Sequence, residues 1–130
     1  LNDDEAYFLT GTHALPTAST KLLSWGPQIA AITLGKRGCY IRTPSFEGRF
    51  TAPGVRALDT TGCGDAFFAA FLHGILLHGG ALQEIDRNSW ERICQYANTV
   101  GALTACKHGG ADAIPDSSEV EKFIHAHMTE

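Results

Sequence analysis

The stretch Ile29-Ala30-Ala31-Ile32-Thr33-Leu34 carries no charge and no alternation of apolar with polar positions. Successive side chains of a strand point to opposite faces, so a half-exposed strand alternates. A run without alternation belongs to a strand covered on both faces, as in a parallel sheet layered between helices. Such a strand needs helices elsewhere in the chain, and the flanking sequence provides them.

Upstream, Asp3-Asp4-Glu5 leads into Ala6-Tyr7-Phe8-Leu9 and stops at Gly11, a short helix with carboxylates in its first turn. A second helix is expected over about 17–25, with Pro16 at its start and Gly26-Pro27 after it. Gly35-Lys36-Arg37-Gly38 turns the chain. Cys39-Tyr40-Ile41-Arg42 and Glu47-Gly48-Arg49-Phe50-Thr51 then read as two shorter strands, an antiparallel edge to the sheet. Downstream, Ala66 to Leu77 is the longest apolar run, about a dozen residues where a membrane span needs roughly 20, and it reads as a helix buried on most faces. Ile93, Ala97, Val100, Leu103 and Thr104 recur at helical spacing, with Asn88 or Ser89 as cap. Ser117-Ser118 with Glu121 marks the start of a last helix. The pattern is α/β with a mostly parallel sheet.

The 130 residues suit one folding unit. A net charge of −4, with ten Lys and Arg in no cluster, gives neither a basic stripe for nucleic acid nor a polybasic segment for a membrane surface. Cys39, Cys63, Cys94 and Cys106 form no CxxC pair, and no secretory leader opens the chain, so a reduced cytoplasmic protein is expected. The six histidines show no metal spacing, and Trp25 and Trp90 read as packing residues. The opening Leu1-Asn2 reads as the end of a core strand, with more sequence expected upstream.

The chemistry concentrates in Gly62-Cys63-Gly64-Asp65, two glycines around a small residue immediately before an apolar helix. The first amides of a helix have no internal partners, and glycines let a phosphate approach the backbone closely. Asp65 in the first turn can accept the proton of an attacking hydroxyl. The same residues also suit a plain turn whose acid complements the helix dipole, and the residues alone leave both readings open. Neither a P-loop nor a GxGxxG fingerprint is present.

The run D-T-T-G-C-G-D-A-F-F-A-A-F, Asp59 to Phe71, resembles the second signature of the ribokinase-like (PfkB) carbohydrate kinases, close to D-T-x-G-A-G-D-x-F-x-A-G. Cys63 departs from it, standing where the family has alanine, serine or glycine. Its thiol beside the anion hole would make activity sensitive to oxidation. Further resemblances follow in the family's order. Asn2-Asp3-Asp4-Glu5 is similar to N-x-x-E, whose glutamate organises the magnesium and phosphate waters; Thr33-Leu34-Gly35-Lys36-Arg37-Gly38 is similar to the T-x-G-x-x-G loop along the nucleotide. Asn98 falls where the family places a residue beside the adenine.

The resemblance implies a three-layer ribokinase-like fold, of which this chain is the C-terminal part. It implies Asp65 as general base and Gly62, Cys63 and Gly64 as the anion hole. Asn2, Glu5, Thr33, Gly35, Gly38 and Asn98 would serve ATP and Mg²⁺. Asp59 and the Thr61 carbonyl, with the segment 107–113, would form a K⁺ site. The acceptor would be a sugar or nucleoside hydroxyl, fructose first, and the full-length protein could form a homodimer. Without the sugar-binding portion, the fragment alone is expected to be inactive. The alternative is a nucleotide-binding or regulatory module that kept the scaffold without catalysis.

Overall fold

The computed structural model describes residues 1–127, and within the stretch expected to fold as one unit the chain groups into two compact units, Leu1–Thr51 and the residues from Ala52 onward.

In the first unit, α1 (Asp3–Thr10) begins at a capping box: the Asn2 side chain accepts from the Glu5 amide at 2.8 Å, and Glu5 accepts from the Asn2 amide at 2.8 Å. It ends at Gly11 in the left-handed region. α2 (Leu15–Ser24) starts two residues earlier than expected, with Pro16 in its first turn, where a missing N–H costs nothing. Three strands follow, β1 (Ala30–Thr33), β2 (Cys39–Arg42) and β3 (Glu47–Phe50), paired antiparallel in the order β1-β2-β3. Thr33 stands opposite Cys39, and Cys39 opposite Phe50. Parallel pairing is present at the Asn2–Thr33 bridge, where the Thr33 amide donates to the Leu1 carbonyl at 2.9 Å. Leu1 and Asn2 thus lie strand-like beside β1, as their sequence suggested.

The unalternating run of β1 has its physical counterpart. Ala30, Ala31 and Ile32 are buried in succession, so both pleat faces are covered. Ala30, Ile32, Leu34 and Tyr40 share a core with Ala6 and Leu22 from the two helices. Burial of a side chain such as Ile32 contributes about 1.5–3 kcal/mol. Trp25 is not in this core: it caps α2, half exposed, with the Lys21 ammonium 6.0 Å from its ring. At the end of a helix there is nothing of this unit left to bury it.

The second unit is helical: α3 (Cys63–Leu77), α4 (Arg87–Thr104) and α5 (Ser117–His127). α4 is capped by Asp86, whose carboxylate accepts from the Ser89 amide at 2.7 Å, rather than by Asn88 or Ser89. α5 opens on a reciprocal pair, Asp116 accepting from the Glu119 amide at 2.8 Å and Glu119 from the Asp116 amide at 3.1 Å, one position before the Ser117 start expected. In both cases a carboxylate outcompetes a hydroxyl or amide as acceptor, because it also complements the positive end of the helix.

α3 and α4 pack through a ladder of rings, Phe67 on Phe71 at 5.6 Å and Phe71 on Trp90 at 6.0 Å between centroids. Two glycines bring the helices close: a Cβ on Gly74 would meet Ile93 at 3.0 Å, and one on Gly101 would meet the Cys63 carbonyl oxygen at 3.3 Å. The packed face of α3 is Ala66, Phe67, Phe71 and Ile75. Its opposite side does not fit the sequence expectation of burial on most faces, because Leu72, Leu76 and Leu77 are exposed, the last at 74 %. Among the described residues of this unit, α4 and α5 cover one side of α3 and leave the other open.

Candidate active site

The turn into α3 is built by Gly62, which serves as N-cap with φ +78°, a conformation that strains any residue with a Cβ. Behind it, the Cys63 amide donates to the Thr60 carbonyl at 3.3 Å and the Ala66 amide to the Gly62 carbonyl at 2.9 Å. The amides of Gly64 and Asp65, between them, have no backbone acceptor among the described residues. No side chain caps this helix. Two free donors therefore stand at the positive end of a four-turn helix, the arrangement that receives an anion. Asp65 is exposed in the first turn, and its carboxylate makes no capping bond. Asp65 thus does not cap the helix, while its place in the first turn still complements the helix dipole.

The approach to the turn is tied down from the side. The Leu58 and Asp59 amides both donate to the Ala105 carbonyl, at 2.7 and 3.2 Å, which pins the segment to the end of α4. Asp59 then accepts from the Thr61 amide at 2.9 Å. That bond, supported by the Gly109 amide and by His108, whose Nδ1 lies 3.8 Å away, holds the Asp59 carboxyl below its ordinary range. Gly62 also faces the glycine turn beyond α4, where a Cβ on it would lie 3.5 Å from Gly110 Cα, an ordinary contact. Asp59 and Thr61 thus lie beside His108, Gly109 and Gly110 of the segment 107–113. His108 escaped notice because no motif marks it.

Cys63 occupies the first helical position, partly buried, its Sγ 3.9 Å from the Asp59 carbonyl. Burial, with the charges of Asp59 and Cys106 nearby, raises its thiol above the usual value. A thiol held in its neutral form is a weaker nucleophile than the thiolate.

The remaining candidates lie in the first unit, with one exception. Asn2 and Glu5 form the α1 capping box, and Thr33 bridges to Asn2. The loop after β1 closes as a tight 3₁₀ turn, Leu34 donating to Gly38 at 2.7 Å and Gly38 to Gly35 at 3.0 Å. Gly38, at φ +92° and ψ −134°, holds a backbone only glycine adopts freely. Arg37 of this turn pairs with Asp3, so the N-x-x-E and T-x-G-x-x-G stretches, remote in sequence, are neighbours here. Asn98 is the exception. It is buried on α4, 5 % exposed, which excludes its reading as a solvated helix position.

Among the described residues no group of His, Cys, Asp and Glu is arranged to hold a metal by side chains alone, and no helix is long and apolar enough to cross a membrane.

Comparison with known proteins bears on this arrangement. The family described as pfkB family carbohydrate kinase matches residues 1–117. The chain is 34 % identical over 126 residues to a probable fructokinase-2 of Arabidopsis thaliana, covering 95 % of this chain and 37 % of that one. Among solved structures it resembles a fructokinase from Vibrio cholerae O395 in a fructose-, ADP- and calcium-bound form, with TM-score 0.79 and 26 % identity over 94 % of this chain and 39 % of the other. It also resembles an aminoimidazole riboside kinase from Salmonella enterica complexed with aminoimidazole riboside and an ATP analogue, with TM-score 0.78 and 28 % identity over 95 % and 40 %. The chain thus spans little more than a third of the length of these relatives, and its fold is the corresponding part of the ribokinase-like α/β fold.

Proposed function

Because the chain belongs to the pfkB family of carbohydrate kinases, we propose that it supplies the phosphoryl-transfer machinery of an ATP-dependent sugar kinase. The observation that carries this reading is the pair of free amides, Gly64 and Asp65, at the start of α3, with a carboxylate unengaged in the same turn. Phosphoryl transfer asks a protein for positioning and for stabilisation of charge on the moving group rather than for covalent chemistry. The amides meet that charge. Asp65 accepts the proton as the sugar hydroxyl attacks phosphorus and the bond to the ADP leaving oxygen breaks.

The other candidates take supporting parts. Glu5 uses one carboxylate oxygen in the capping box, which leaves the second for Mg²⁺-bound water. Thr33, Gly35 and Gly38 shape a backbone turn suited to running along a nucleotide. Asn98, being buried, supports the adenine side from within α4 rather than from an exposed face. Asp59 and Thr61 face the glycine turn at 109–110 as a K⁺ site, where main-chain carbonyls would supply most ligands. The acceptor is a fructose-type sugar, in line with what the relatives are named for.

A polypeptide of family length carrying this chain tests the proposal. With ATP and a panel of sugars, ADP release should appear with fructose or a close relative. Asp65→Asn should lower kcat by about 10²–10⁴-fold while ATP affinity stays within a few-fold. A variant within threefold of wild type would remove Asp65 from the role of base. ATP binding without turnover on any sugar would favour the non-catalytic module.

A further inference from the structure

Glycine inside an α-helix costs about 1 kcal/mol relative to alanine, so a helical glycine calls for a reason. Gly101 sits within α4 and is not among the glycines with positive φ, so its backbone would accept alanine. The reason is space. A Cβ on Gly101 would lie 3.3 Å from the carbonyl oxygen of Cys63 and 3.6 Å from Phe67 Cβ. The carbonyl of Cys63 and the amide of Gly64 belong to one peptide group, which is planar and rigid. Whatever presses on that oxygen therefore tilts the Gly64 N–H at the other end of the same plane.

We propose that Gly101 is a positioning residue: by offering only hydrogen to the Cys63 carbonyl, it sets the aim of the Gly64 amide at the phosphoryl group. The proposal rests on the functional reading above and deepens it. Gly74 provides the comparison. It too is a helical glycine at the α3–α4 contact, and its Cβ would meet Ile93 at 3.0 Å, tighter still. There the obstacle is a side chain, which can move, and the position is three turns from the loop. At Gly101 the obstacle is main chain at the helix start, which cannot yield without moving the anion hole. The rest of the loop is held as well, because the Leu58 and Asp59 amides are pinned to the Ala105 carbonyl and the Cys63 amide to the Thr60 carbonyl.

The experiment compares Gly101→Ala with Gly74→Ala in the full family-length polypeptide. Gly101→Ala is expected to lower kcat roughly tenfold, the scale of a small misplacement, with KM for ATP and sugar changed less than threefold. Gly74→Ala keeps kcat within twofold. In ¹H–¹⁵N spectra, which need no turnover, Gly101→Ala displaces the Gly64 amide resonance and Gly74→Ala leaves it in place. If Gly101→Ala fails to fold, loses no more kcat than Gly74→Ala, or leaves the Gly64 resonance unmoved, Gly101 is a packing residue and the proposal is overturned. An inactive wild type with a displaced Gly64 resonance would refute the kinase reading and leave the positioning intact.

Discussion

Gly62 shows how much one backbone conformation can carry. At φ +78° it reverses the chain so that the Gly64 and Asp65 amides emerge at the start of α3 instead of closing on a preceding carbonyl. Gly62→Ala forces a Cβ into the left-handed region, at about 1–2 kcal/mol. Chemical denaturation of that variant is expected to show a loss of this size. Activity should fall by more than the lost stability accounts for, because the strained turn relaxes by moving the two donors. Much of this was readable beforehand. A glycine immediately before an apolar helix with an acid in its first turn names the turn, the helix and the donors at once. What could not be read was environment: that Cys63 is partly buried near Cys106, that His108 comes to Asp59, and that Gly101 stands behind Cys63. Each depends on residues about forty positions away brought together by the packing of α3 on α4.

Helix interiors and strand runs were legible from apolar spacing, and helix starts were less so. For α4 and α5 the competing acceptors lie within three residues of one another, and spacing alone does not rank Asp86 against Asn88, or Asp116 against Ser117. Charge ranks them. The bond from the Ser89 amide holds the Asp86 carboxyl below its ordinary range, and Lys107, then the Asp116 amide, do the same for Glu119. A depressed native pKa means stability fully present above the unfolded value, near 4, and lost as pH falls through the native one. The melting temperature is therefore expected to fall below about pH 4. Asp86→Asn keeps the cap at neutral pH and flattens that acid limb. Asp86→Ala lowers the melting temperature at pH 7 by the loss of the cap itself. An unchanged acid limb in Asp86→Asn would show that this carboxylate is not among the groups responsible.

At the scale of the whole molecule, the expectation of an α/β fold holds in both the layering and the comparisons. β2 and β3 form the antiparallel edge that the sequence placed after the Gly35 turn, and β1, expected in a parallel sheet, pairs antiparallel with β2 and meets Asn2 in a parallel bridge. The ribokinase-like relatives are more than twice as long, and the family match runs over residues 1–117. The expectation that failed concerned α3. A helix apolar on nearly every side reads as buried on most faces, yet among the described residues of its unit only one side meets a partner.

That bare side has a practical consequence at the bench. Leu72, Leu76 and Leu77 give a folded 130-residue chain a greasy ridge in water. Dyes such as 8-anilinonaphthalene-1-sulfonate should brighten on it without any denaturant, a response otherwise taken as a sign of partial unfolding. Replacing Leu76 and Leu77 by lysine should quench the dye and leave the melting temperature within a few degrees. Near-ultraviolet circular dichroism, which reports the Phe71–Trp90 packing, would tell the two origins apart.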